Sequence, residues 1–169
     1  PNLRTWTEVW IVDLATGSIA RRLRTSLPSV EGIAFAEDDT RLAVCSRQGG
    51  IEVWSTTAWQ PERVIGQPDA VTGTPVFSAQ LERVASMASD GCDRLRDTRT
   101  GRETAAFYLR DLGAEWATTI PQGFYDCSPG VDSVISWRLG GNLYPLDQFA
   151  DKFRRPDLVR RALAGEDIS

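Results

Sequence analysis

The chain has 169 residues, 41% of them hydrophobic and 25% charged, an ordinary balance for a globular domain with one sizeable core. It contains no histidine, and its 19 basic residues, all arginine except Lys152, face 23 acids for a net charge of −4. These counts exclude imidazole-dependent nucleophilic catalysis and His-containing metal sites, and a net acidic surface argues against general binding to a phosphate backbone.

In chain order, residues 6–12 read as a strand, 15–17 as a turn and 18–25 as an outer strand whose Arg21, Arg22 and Arg24 charge an exposed edge. Residues 30–36, 41–46, 50–55 and 62–66 then read as four strands of one complete unit, with turns at 37–40 and 48–50. A second complete unit runs from 71 to 109, with turns at 89–91 and 99–101, and an aromatic-rich stretch follows over 114–141. No apolar run approaches the ~18 residues of a membrane span, and Pro1 opens no signal-peptide pattern. Arginine in place of nearly all lysine is the mark of a GC-rich bacterial genome, so the expectation is a soluble protein of the bacterial cytoplasm.

A turn motif recurs at residues 13, 55 and 97, an interval of 42: Val12-Asp13-Leu14-Ala15-Thr16-Gly17, Trp54-Ser55-Thr56-Thr57-Ala58 and Arg96-Asp97-Thr98-Arg99-Thr100-Gly101. The same shift places Arg41-Leu42-Ala43 on Arg83-Val84-Ala85 and Gly49 on Gly91. The segments ending in Trp54 and Asp97 resemble the ends of WD repeats, a likeness covering residues 7–110. The resemblance implies an all-β fold, a partial β-propeller of about three four-stranded blades, with Gly49, Trp54, Gly91, Asp97 and Gly101 as repeat positions. The Trp-His-Asp network of such repeats has no counterpart without histidine, so the blades are expected to be held mainly by apolar packing. The expected layout is a partial propeller over 1–141, with blades at 7–25, 30–66, 71–109 and 114–141, and a helical tail over 142–169.

A second resemblance lies in the last third, on Trp116, Pro121-Gln122-Gly123-Phe124-Tyr125, Ser128-Pro129-Gly130, Trp137, Tyr144-Pro145, Phe149, Phe153 and Arg155-Pro156-Asp157. These look like the closing segment of a group of bacterial WD-repeat proteins, many of which accompany a caspase-like peptidase. The resemblance implies such an effector as partner. Physically the segment reads as an end cap, with prolines stopping strands and Trp116, Phe124, Tyr125 and Trp137 sealing the last blade. The alternative is an aromatic ligand pocket.

In the tail, Pro145 opens a short helix with Leu146, Phe149 and Phe153 on one side, and Pro156 opens another with Leu158, Val159, Ala162 and Leu163 inward. Lys152, Arg154, Arg155, Arg160 and Arg161 form the one basic cluster. Five nearby acids make a solvated amphipathic face the preferred reading, with Lys152, Arg154, Arg160 and Arg161 as candidate partner contacts. Cys45, Cys92 and Cys127, far apart in sequence, read as reduced structural thiols. Cys127 lies between Asp126 and Ser128 but has no imidazole to activate it, and no Gly-rich phosphate loop with lysine occurs.

The expected function is that of a non-catalytic protein-interaction or regulatory scaffold, with no cofactor, no metal and no membrane. Its partners are the rest of a propeller and a caspase-like or other effector. The alternative is a ligand- or nucleic-acid-sensing module using the basic tail or an aromatic pocket. Three blades do not close a ring, so open strand edges are expected near Val9 and over 132–138, and Trp137 and Phe153 are expected to be buried.

Overall fold

The structure, a computed structural model, describes residues 7–65, 75–88 and 90–168, grouped in two compact units: 1–89 with 97–101, and 90–96 with 102–169. The start of the blade expected at 71 and the turn residue Ser89 lie outside the described residues.

In the first unit, β1 (Thr7–Val12) and β2 (Ile19–Thr25) form a hairpin, and β3 (Gly32–Phe35), β4 (Arg41–Cys45), β5 (Ile51–Ser55) and β6 (Gln60–Ile65) form a four-stranded antiparallel meander. β7 (Val76–Phe77) pairs with β8 (Arg83–Met87). The alternation of side chains along each strand gives these sheets two apolar faces, and both are used. One layer gathers Val9, Leu23, Leu27, Leu42, Val44 and Trp54; the next gathers Cys45, Ile51, Val53, Ile65 and Val84. Val9 and Ile51, Leu23 and Ile65, and Leu42 and Val84 each stand one 42-residue interval apart, so one stacking pattern is made twice. Meanders stacked this way are the arrangement of neighbouring propeller blades.

The repeat extends to backbone detail that the sequence does not display. The ladders slip by one residue at Ala20, Glu62 and Thr104, each left unpaired between partners that are otherwise in register. These bulges are 42 residues apart, although alanine, glutamate and threonine share no chemistry. The recurring turn is equally exact. The Asp13 carboxylate accepts from the Ala15 and Thr16 N–H at 2.8 and 2.9 Å, the Ser55 hydroxyl from Ala58 at 3.2 Å, and the Asp97 carboxylate from Thr100 at 2.7 Å. The residue four positions on then closes each turn at positive φ: Gly17 at 68°, Trp59 at 53° and Gly101 at 72°. Glycine suits that conformation, and Trp59 adopts it against its own preference.

Apolar layers make up most of this packing, as expected, and one buried polar contact is added to them. Glu52, 2% exposed, accepts through Oε1 from the Ser26 N–H at 2.7 Å and from the Ser26 hydroxyl, and through Oε2 from Trp54 Nε1 at 3.0 Å. A buried carboxyl so placed satisfies the indole and clamps the loop after β2. Gly50 makes room for that loop: a Cβ there would stand 2.6 Å from Leu27 Cδ2.

In the second unit, β9 (Asp93–Asp97), β10 (Glu103–Arg110), β11 (Glu115–Thr119) and β12 (Tyr125–Cys127) form a meander, followed by the hairpin β13 (Ser136–Leu139) and β14 (Asn142–Pro145). The expected blade at 114–141 is not a sheet of its own. β11 pairs with β10 from Ala106↔Thr119 to Arg110↔Glu115, because Asp111-Leu112-Gly113, at φ 49°, 56° and 91°, returns the chain at once instead of carrying it to a new sheet. The β13–β14 hairpin straddles the expected boundary at 141/142. The first expected tail helix is a 3-10 turn, Leu146–Phe149, running into the single turn α1 (Ala150–Phe153). α2 (Pro156–Leu163) begins with its proline at the start, as expected, since that position needs no N–H partner. No helix among the described residues is long and apolar enough to cross a membrane.

Candidate functional site

The closing segment is organised by Tyr125, which is fully buried on β12. Its hydroxyl donates to the Leu146 carbonyl at 3.0 Å, its ring meets Trp137 edge-on at 6.4 Å, and its own carbonyl accepts from the Arg155 N–H at 3.0 Å. The residues around it fold for local reasons. Pro121-Gln122-Gly123 makes the β11–β12 turn, with Gly123 at φ 87° donating to Ile120. The Ser128 hydroxyl accepts from the Trp116 N–H at 3.0 Å, and Pro129 and Gly130, at φ 83°, turn the chain into a short 3-10 helix. Phe149 and Phe153, one turn apart, lie 6.4 Å ring to ring, with Tyr144 against Phe149 at 6.1 Å and Phe124 against Phe153 at 6.4 Å.

Trp137 and Phe153 are half-buried, which corrects the expectation that they would be fully enclosed. Each packs on the Tyr125 cluster with one side and on open space with the other. That space is an apolar groove of about 390 Å³ lined by Gly123, Trp137, Leu139, Phe149 and Phe153. No polar side chain lines it. The Lys152 ammonium stands 5.2 Å over the ring of Phe153, one of the lining residues, and has no carboxylate partner among the described residues. Leu139 was not singled out by sequence; its signal was the strand alternation that puts it on the same face as Trp137.

A second cavity, of about 360 Å³, shares Trp137 and includes Cys92, Arg94, Glu103, Tyr108 and Thr119. Arg94 is taken up there by Asp90, in a two-pronged pair, and by Glu103 at 3.1 Å. The thiols are quenched: burial pushes Cys45 up to about 11 and also raises Cys92 and Cys127. A thiol held protonated is a poor nucleophile. Among the described residues no three of His, Cys, Asp and Glu are placed to hold a metal ion.

The basic cluster separates. Arg154 turns inward, pairing with Asp132 at 3.2 Å and donating to the Cys127 carbonyl at 3.1 Å, so it pins the tail to β12. Arg155 pairs with Asp157 at 2.7 Å and Arg161 with Glu166 at 2.6 Å, while Arg160 donates to the Pro156 carbonyl at 3.2 Å. Lys152, Arg160 and Arg161 remain exposed. Of the repeat positions, Gly49 and Trp54 are buried and Gly91 is exposed, the two glycines at φ 90° and 82°; Asp97 and Gly101 form the third copy of the turn.

No protein-family profile matches the chain, and no curated protein sequence matches it. Among solved structures, it is similar to a chain of the crystal structure of mitotic checkpoint complex, at 14% identity and a TM-score of 0.49. The match covers 73% of this chain and 41% of that one, so this chain spans about two fifths of that chain's length.

Proposed function

We propose that this chain is a non-catalytic protein-interaction module whose docking site is the groove of Trp137, Leu139, Phe149 and Phe153. The carrying observation is the groove itself: a concave, wholly apolar surface, with the Lys152 ammonium over the ring of Phe153 that lines it, in a molecule whose thiols burial holds protonated. A lining without polar atoms gives a small molecule nothing to orient it, whereas it suits a large apolar side chain fixed by the rest of a polypeptide. The occupant is therefore a peptide segment of a protein partner that inserts one aromatic or long aliphatic side chain and sets a carboxylate against Lys152. The partner we assign is a caspase-like protease of a bacterial cytoplasm. That assignment rests on the resemblance of residues 116–157, of which Gly123, Trp137, Phe149 and Phe153 line this groove.

The test is binding of the purified chain to such a protease from the same genome, with Leu139→Asp and Phe149→Ala beside the native protein. The expected outcome is affinity reduced at least ~10-fold in both variants, with Leu139→Asp melting within ~3 °C of the native chain because Leu139 is exposed. Equal affinity in all three would overturn the site. An anionic amphiphile such as decanoate binding the native chain and not Leu139→Asp, with no protease bound, would replace the peptide reading by ligand sensing.

A further inference from the structure

The two stacked layers of the first unit provide an internal control for every exposed residue in it. Glu52 and Trp54 lie on one face of β5 and are 2% and 5% exposed, covered by Leu23, Leu27 and the Ser26 loop of the preceding hairpin. One interval earlier, on β1, the same two positions are Trp10 and Val12, and they are 55% and 45% exposed. The opposite face of β1 behaves as its counterpart does: Val9 and Ile11 pack inward like Ile51 and Val53. The outer strands agree as well, with Leu23 and Ile65 buried and Arg22 and Val64 exposed. The difference is thus confined to one face of one strand. Among the described residues the edge of that strand is also open, since β5 is hydrogen-bonded on both sides and β1 pairs with β2 alone.

We infer that this face and edge of β1 seat a further copy of the 42-residue unit, lying ahead of β1 on the same polypeptide as β1–β2 lies ahead of β3–β6. The established layer states what the occupant presents. It has a hairpin with apolar residues at the positions equivalent to Val9 and Leu23, meeting Val12 as they meet Trp54, and a loop equivalent to Ser26–Leu27 over Trp10. It also supplies a strand for the free edge, as β4 does for β5. In its absence Trp10 is held by neighbours on its own hairpin: Arg22 stacks at 5.2 Å and Glu8 accepts from the indole at 3.1 Å. This inference uses only the first unit, so the groove variants neither support nor weaken it.

The experiment compares the 169-residue chain with a tandem chain in which residues 7–48 are repeated in phase ahead of residue 7. In the native chain, amides of Val9–Val12 should exchange at least ~10-fold faster than those of Ile51–Trp54, and the tandem copy should remove most of that gap. Val12→Asp should shift the melting temperature of the native chain by less than ~2 °C and that of the tandem chain by ~5 °C or more. Equal protection of β1 and β5 amides in the native chain would overturn the inference, whether or not the tandem chain folds. So would a Val12→Asp effect of the same size in both chains.

Discussion

The two units of this molecule use their apolar residues in opposite ways. In the first, modest side chains such as Val9, Leu23, Leu42 and Val84 recur at a fixed interval, and no single residue organises more than one layer. In the second, aromatics that occur once each converge on Tyr125 and leave a groove beside it. A translated layer distributes stability over equivalent positions, so each position has a counterpart against which to measure it. A converging cluster concentrates stability in its centre and leaves a shaped surface at its rim. The largest consequence should therefore appear at Tyr125. Tyr125→Ala is expected to cost about 3 to 5 kcal/mol in urea denaturation, and Tyr125→Phe, which gives up only the bond to the Leu146 carbonyl, about 1 kcal/mol. A Tyr125→Ala loss no greater than that of Tyr125→Phe would mean that the cluster has no centre.

The next effect tests whether counterpart positions differ as their burial does. Glu52→Ala strands the Trp54 indole N–H and the Ser26 N–H in the layer, at about 2 to 3 kcal/mol. Trp10→Ala, its counterpart 42 residues earlier, should cost less than about 1 kcal/mol because that side chain is half in solvent. Similar losses from equilibrium unfolding of both variants would show that the two positions do not differ as their burial does.

These two regions also differ in how much of them the sequence displayed. The interval of 42 was legible because its turns need particular chemistry: an Asp or Ser whose side chain accepts from the backbone, and a residue tolerant of positive φ four places on. The bulges at Ala20, Glu62 and Thr104 were not, since a bulge is set by ladder register and accepts almost any side chain. The polar role of Glu52 was hidden because its main partner, Ser26, lies 26 residues away and only tertiary contact joins them. In the second unit the signature residues were visible, and of these Tyr125, Trp137 and Phe153 share one cluster. The return of β11 onto β10 was missed because Leu112 at positive φ is a conformation no propensity favours. The inward turn of Arg154 depends on Asp132, 22 residues away, and among five neighbouring bases nothing local marks it.

A smaller effect bears on the recurring turn. Asp13→Ala and Asp97→Ala should each cost about 1 kcal/mol, through the loss of side-chain bonds to backbone N–H groups. Ser55→Ala, which loses one longer bond at 3.2 Å, should cost less. A larger loss at Ser55 than at the two aspartates would show that capping strength in these turns does not follow the number and length of the bonds.

The smallest expected effect separates the units by the origin of their acid sensitivity. In the first unit, backbone N–H groups of Thr16 and Ala15 hold the Asp13 carboxyl below its ordinary value, and that of Thr40 does the same for Asp38. In the second, the guanidinium of Arg94 lowers Asp90 to about 2, and that of Arg155 lowers Asp157 to about 2. All four folded-state values lie below those of the unfolded chain. The stability they contribute is thus fully present above about pH 4 and lost as pH falls toward 2. Asp90 is half in solvent, so its share is discounted to a few tenths of a kcal/mol. Salt then distinguishes the two origins, because at 1 M the screening length is about 3 Å and exposed ion pairs fade while turn hydrogen bonds persist. In urea titrations at pH 5 and pH 2.5, the Asp90→Asn and Asp157→Asn variants should show a flatter pH dependence than the native chain at low salt and match it at 1 M. Asp13→Asn should flatten the dependence equally at both salt concentrations. A salt-sensitive Asp13 effect, or a salt-insensitive Asp90 effect, would remove this distinction between the units.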